Sequence, residues 1–270
     1  MHTATFLGGT WPRHLQALLA GAAVGALGGL IGLGGAEFRL PLLIGLFGVA
    51  ALAAVIMNKA MSLVVVASAL VFRTRSVPVE QLLDHWPIVL NLLGGSLLGA
   101  WWGASWATRA HPRTLYRVIA GLLMVIAVAL LLHHWLPSGG APLLQGSAQI
   151  VAGVLAGLAI GVVASLLGVA GGELLIPTIV LLFAADIKLA GSLSLAVSLP
   201  TMIVGFARYS RDGSFSVLRE NRAFLLAMTA GSLIGSLIGA SLLGVVPSTW
   251  LLPALAAILV VSAWKVWQHR

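Results

Sequence analysis

The chain reads as a series of apolar runs divided by short polar connections. Runs occupy 15–31, 39–53, 57–72, 86–107 and 115–135, then 148–167, 174–185, 190–207, 223–243 and 249–267. A spanning helix needs about 20 mostly apolar residues, so most runs predict membrane-crossing helices. Segments 39–53 and 174–185 are too short to cross comfortably. Polar or turn-prone stretches fall at 73–85, 109–113, 137–145 and 209–222. Trp11, Trp86, Trp106, Trp135, Trp250, Trp264 and Trp267 lie near run ends, as an interfacial aromatic belt requires. Arg13 and the small residues 20–23 resemble parts of a cleaved signal. The apolar run continues into a glycine motif that recurs in the second half, so it reads as a mature helix.

The pattern repeats at a constant offset of 136 residues. Gly21 and Gly25 match Gly157 and Gly161, and GLGGAEFRLP at 32–41 matches GVAGGELLIP at 168–177. Within that motif Gly35 pairs with Gly171, Glu37 with Glu173 and Pro41 with Pro177. Farther on, Ser62 pairs with Ser198, Gly95-Ser96-Leu97 with Gly231-Ser232-Leu233, and Gly99 and Gly103 with Gly235 and Gly239. Apolar low complexity alone would not hold polar and proline positions in one register. The expected fold is therefore an all-α polytopic membrane protein of two repeat-related halves, 1–136 and 137–270. Duplicated halves are the usual construction of secondary transporters, so together they are expected to form one transport domain of four to five helical segments per half, with glycine-broken or re-entrant helices. An inverted arrangement is favoured because one helix over 15–53 would stretch about 58 Å, against a hydrocarbon core of about 30 Å. Counts of Lys and Arg on the two sides differ too little to choose between parallel and inverted halves.

Composition sharpens the class. Only 8% of residues are charged and 60% are hydrophobic, whereas soluble chains carry roughly 25% charged residues. The net charge of +8 comes from residues spread over short connections, an orientation signal and no footprint of nucleic acid. Without cysteine there is no disulfide, thiolate metal site or catalytic thiol. No nucleotide loop, nucleophile elbow or His-Glu-x-x-His motif occurs. His133-His134 reads as an interface pair, because a metal site needs more convergent ligands. Neither a cofactor nor a metal is expected.

The candidate chemistry gathers at the glycine breaks. Non-helical backbone at membrane depth is tolerated where it is buried in protein or lines a cavity. A helix restarting there, with Pro41 or Pro177 in its first turn, aims free N–H groups and a positive dipole end at the cavity. Gly34, Gly35, Ala36, Gly171 and Gly172 are therefore candidate anion-binding positions. Glycines spaced by four, as in Gly21/Gly25/Gly29 and Gly95/Gly99/Gly103, read as close-packing positions. Charged residues inside spans are costly and functional by default. Glu37 and Glu173 either carry protons or brace the loop. Arg39 either pairs with Glu37 or offers its fork to an oxyanion. Lys59, near a helix start, either meets the anion or snorkels to the interface. Asn58, Ser62, Ser192, Ser194, Ser198 and Thr201 supply polar groups on two equivalent helices.

A glycine-rich break followed by proline, present twice, resembles the TauE/SafE family of sulfite and organosulfonate exporters. The segment 190–198 (AGSLSLAVS) is similar to that family's later Ala-, Ser- and Leu-rich stretch. Departures are Ala36 in place of a third glycine, the charged Glu37 and Arg39, and Met57-Asn58-Lys59. The resemblance implies outward movement of a small sulfur oxyanion across the cytoplasmic membrane by a secondary transporter or facilitator. Expected partners are a small anionic substrate and membrane lipid, with a homodimer as a further option and no nucleic acid. The alternatives are a transporter of the same fold for another small organic anion, or an intramembrane enzyme. An intramembrane hydrolase would need a histidine beside a span serine, but all seven histidines fall at termini, loops or span ends.

Overall fold

In the computed structural model the residues described are 12–31, 35–73, 79–133, 142–210, 215–241 and 248–268. Among them every regular element is helical. The first half gives α1 (Arg13–Ile31), α2 (Ala36–Gly45), α3 (Ala51–Arg73), α4 (Val79–Asp84), α5 (Trp86–Ala107) and α6 (Pro112–His133). The second gives α7 (Gly146–Leu167), α8 (Gly172–Phe183), α9 (Ile187–Ser210), α10 (Ser216–Glu220), α11 (Arg222–Ser241) and α12 (Ser248–Gln268). Five of these helices are long and apolar enough to cross a membrane among the described residues. The protein is an all-α polytopic membrane protein.

Local sequence explains the boundaries, with three departures from expectation. The run 39–53 is split: α2 stops at Gly45, Gly48 takes a left-handed φ of 65°, and α3 starts at Ala51. Pro41 and Pro177 fall in the second turn of α2 and α8, because each helix starts directly after its glycine. A proline lacks the N–H that the carbonyl four residues back would receive, so the Glu37 and Glu173 carbonyls lose their helical donors. The short helices α4 and α10 occupy connections that hydrophobic patterning leaves blank.

Small residues let two helix pairs approach closely. A Cβ at Gly21 or Gly25 would collide with the Met228 or Ser232 carbonyl, and one at Gly231 or Gly235 with Leu18 or Ala22. Contacts advance together along both chains, so α1 and α11 run in the same direction. The α5–α7 pair has the same construction 136 residues away. Gly157 and Gly161 press on the Leu92 and Ser96 carbonyls, and Gly95 and Gly99 on Val154 and Leu158. Polar ties set two further directions. Ser96 and Arg208 of the α5–α9 pair meet Thr201 and Ser105 in the same order, so those helices are parallel. Lys59, in the first half of α3, reaches Gly205 and Tyr209 near the end of α9, and Leu63 and Val66 farther along α3 pack with Leu195, Leu199 and Met202 farther back in α9, as in an antiparallel crossing.

Candidate functional site

Both breaks fold the chain back on itself through one backbone device. Gly35 caps α2 at φ 71°, ψ 17°, and Gly171 caps α8 at φ 78°, ψ 16°. This left-handed geometry suits glycine, and a side chain at Gly35 would also strike the Val24 carbonyl of α1. The first turn bonds are Phe38 N–H and Arg39 N–H to Gly35 O, and Leu174 N–H and Leu175 N–H to Gly171 O. The preceding amides, of Ala36 and Glu37 and of Gly172 and Glu173, therefore head their helices.

Around these starts lies a polar cluster sealed from solvent. Arg39, Asn58 and Lys59 are 0% exposed, and Glu37, Ser62, Ser194 and Ser198 are buried as well. Arg39 donates from Nε to Asn58 Oδ1 (2.9 Å), from Nη2 to Ser62 Oγ (3.0 Å) and from Nη1 to Ser232 Oγ (3.2 Å). Glu37 adds electrostatic attraction, but the guanidinium bonds neutral oxygens. The amide of Asn58 donates to Ala36 O (3.0 Å) and Leu167 O (3.1 Å), joining the restart of one break to the last turn before the other. Ser198 donates to Ala170 O (2.8 Å) and so fixes the second break.

Lys59 points the other way. Its Nζ donates to Ser165 Oγ (3.2 Å), and Ser165 in turn donates to Ala100 O (2.8 Å). The Tyr209 ring lies 5.8 Å from Nζ, and the Tyr209 hydroxyl donates to Ser165 O (3.0 Å). A Cβ at position 205 would sit 2.5 Å from Nζ, so the absence of a side chain at Gly205 makes room for the ammonium. Lys59 lies well inside α3 and is fully buried, which excludes snorkelling.

A family model described as sulfite exporter TauE/SafE matches residues 17–266. The chain belongs to the TauE/SafE family. No curated protein and no solved structure matches it. TauE/SafE membership makes the protein a multi-pass membrane transporter of the sulfite exporter class.

Most of the residues singled out by sequence surround one region of this TauE/SafE protein. Gly35, Ala36, Glu37, Arg39, Asn58 and Ser62 form one connected group, and Gly171, Gly172, Glu173 and Ser198 flank the second break. Gly34 lies outside the described residues. Ser194 and Ser192 instead bond carbonyls of their own helix, Gly191 and Lys188, and Thr201 bonds Ser96 and Val197. Sequence reasoning missed Ser165, Gly205, Tyr209 and Ser232. Ser232 carried a signal, since Gly231-Ser232-Leu233 repeats Gly95-Ser96-Leu97; Ser165 had none beyond preceding a break. A separate pocket of about 520 Å³ between α2 and α12 is lined by Pro41, Leu42, Ile258 and Lys265 among others. None of the polar cluster lines it.

Proposed function

We propose that the protein moves a small sulfur-containing oxyanion, sulfite or an organosulfonate, outward across the cytoplasmic membrane by alternating access between 1–136 and 137–270. The observation that carries this reading is Lys59. Its fully buried ammonium has one hydroxyl acceptor and an aromatic ring, and no carboxylate bonded to it among the described residues. A buried charge left so poorly compensated is costly, and an oxyanion beside it would supply the missing partner. Arg39 spends three donors on Asn58, Ser62 and Ser232, so it mainly braces the break and adds positive charge. The amides heading α2 and α8 favour the same sign of ligand. Glu37 and Glu173 are the proton-coupling candidates.

The directions of packing support an inverted relation between the halves. Helices α3 and α9 occupy equivalent places in the repeat yet cross antiparallel, while α1–α11 and α5–α7 are each parallel. Inverted repeats with sites at broken helices are a common construction of secondary transporters.

Proteoliposomes tested with sulfite, thiosulfate, methanesulfonate and small carboxylates decide the substrate class. Saturable flux of a sulfur oxyanion is the expected result. Carboxylate flux alone would assign the site to another organic anion, and absence of flux for every anion would overturn the reading.

A further inference from the structure

The anion seat at Lys59 leaves the two glutamates unexplained. They are repeat mates, one at the start of each restarted helix, 2% and 6% exposed. Asn58 ties Ala36 O, next to Glu37, to Leu167 O ahead of the second break, and Ser198 holds Ala170 O within that break, so the two helix starts lie together. The two carboxylates act on each other electrostatically. Yet among the described residues Glu37 Oε1 and both carboxyl oxygens of Glu173 lack a hydrogen-bond partner. Two carboxylates cannot bond one another unless one carries a proton. A proton placed between them removes the repulsion of two like charges and supplies the missing bond.

We infer that Glu37 and Glu173 hold one proton in common across the two halves, and that this proton sets the net charge met by the transported anion. The inference rests on the oxyanion reading above. With both carboxylates ionised, the set of buried charges formed by Glu37, Glu173, Arg39 and Lys59, the last turned away toward Ser165, is neutral. With one shared proton it carries a single positive charge, which one monoanion balances. Proton and anion therefore bind cooperatively, and by linkage each strengthens the other.

Other charges near the pair are few. Arg39 acts directly on Glu37, and Lys59 sits on the adjoining α3. Helices α7 and α8 carry no ionisable side chain besides Glu173. Arg13 and His14 of α1, Arg73 of α3, Lys265 of α12 and Lys188 and Arg208 of α9 stand near the ends of their helices. Those of α6 are Arg113, Tyr116 and Arg117 in its first two turns and His133 at its last residue, and Tyr209 of α9 and Arg222 of α11 also stand near helix ends. Lys59 is thus the main competing source of pH dependence, since its loss of charge would also weaken anion binding.

Calorimetric titration of the full protein in lipid nanodiscs with methanesulfonate, which stays anionic throughout, separates the two sources. Wild-type affinity should fall about tenfold per pH unit once the shared proton leaves, the slope for one linked proton. In Glu37→Gln and in Glu173→Gln, the remaining carboxylate keeps the cluster at one positive charge. Each single variant should therefore bind as tightly as the wild type at low pH and lose the pH dependence. Persistence of that dependence in either variant would assign it to Lys59 and overturn the inference, as would a flat wild-type profile. Infrared difference spectra of the wild type give a check free of mutation: a protonated-carboxyl band should disappear as affinity falls. A band unchanged through that interval also overturns the shared proton. Failure of the wild type to bind methanesulfonate, sulfite or thiosulfate at any pH overturns the oxyanion reading itself, and the inference with it.

Discussion

The two breaks share a backbone and differ in charge. Gly35 and Gly171 agree within a few degrees in φ and ψ, and Glu37 and Glu173 follow each at the same step. Beyond that the halves diverge: Arg39 faces Leu175 across the repeat, Asn58 faces Ser194 and Lys59 faces Leu195. Even the surroundings of Lys59 lack a counterpart, because Gly29, Ala69 and Arg73 stand where the second half has Ser165, Gly205 and Tyr209. Backbone geometry is thus a property of the repeated frame, and cationic chemistry a property of one half. Lys59 has no cationic repeat mate, whereas the glutamates are repeat mates, one from each half.

The frame should break first and equally on both sides. Gly25→Leu and Gly161→Leu each push a side chain into a backbone carbonyl, of Ser232 and Ser96 respectively. Overpacking against backbone costs about 3 kcal/mol, and both variants should lose most monodisperse protein in gel filtration. A well-behaved Gly25→Leu beside a collapsed Gly161→Leu would show that the frame is not shared. Next in size is Asn58→Ser, which writes the second-half residue into the first. It removes the bonds to Ala36 O and Leu167 O and the acceptor for Arg39 Nε. The expected loss is about 2 kcal/mol of stability, read as a lower midpoint in thermal unfolding.

Charge should break only one side. Lys59→Leu copies the residue at 195 and removes a charge-assisted bond to the anion, worth about 1.5–3 kcal/mol. Anion affinity should drop roughly tenfold to a hundredfold, with thermal stability kept or raised, since a buried cation is gone. Adding Leu195→Lys should not restore flux, because Gly29 offers no hydroxyl to receive the new ammonium. Restoration would mean that the seat is symmetric after all.

How much of this could be read without the structure follows from the same contrast. The duplication, the breaks and the close-packing glycines were legible because each repeats at one offset, so every position testifies twice. Lys59 was legible as a charge within a span that either meets an anion or snorkels, but its surroundings were not. Ser165 is one serine among many in apolar helices, and only a crossing between α3, α7 and α9 makes it the ammonium's acceptor. Gly205 and Tyr209 become informative through the same crossing. The course of α2 was misread over 46–50, where patterning sees apolar residues and the glycine conformation at Gly48 decides the chain's path. Arg39 read either as a partner of Glu37 or as an anion fork, and its three neutral acceptors were not legible because they come from α3 and α11, far apart in sequence.

The smallest expected effect is the sharpest test of the asymmetry. Ser194 is the repeat mate of Asn58, and sequence reasoning gave the two equal standing. Its hydroxyl donates to the Gly191 carbonyl three residues back in α9 (2.8 Å). A serine bonded to its own helix in this way adds little, because the carbonyl also has a helical N–H within reach. Ser194→Ala should therefore change stability by no more than about 0.5 kcal/mol and leave anion flux within about twofold of the wild type. Flux in proteoliposomes and the thermal midpoint, measured on the same preparation, check both. A tenfold loss of flux at unchanged stability would place Ser194 on the anion's route in a conformation other than this one. The second half would then contribute polar groups as the cluster opens, and the charge asymmetry of the breaks would belong to one stage of the cycle.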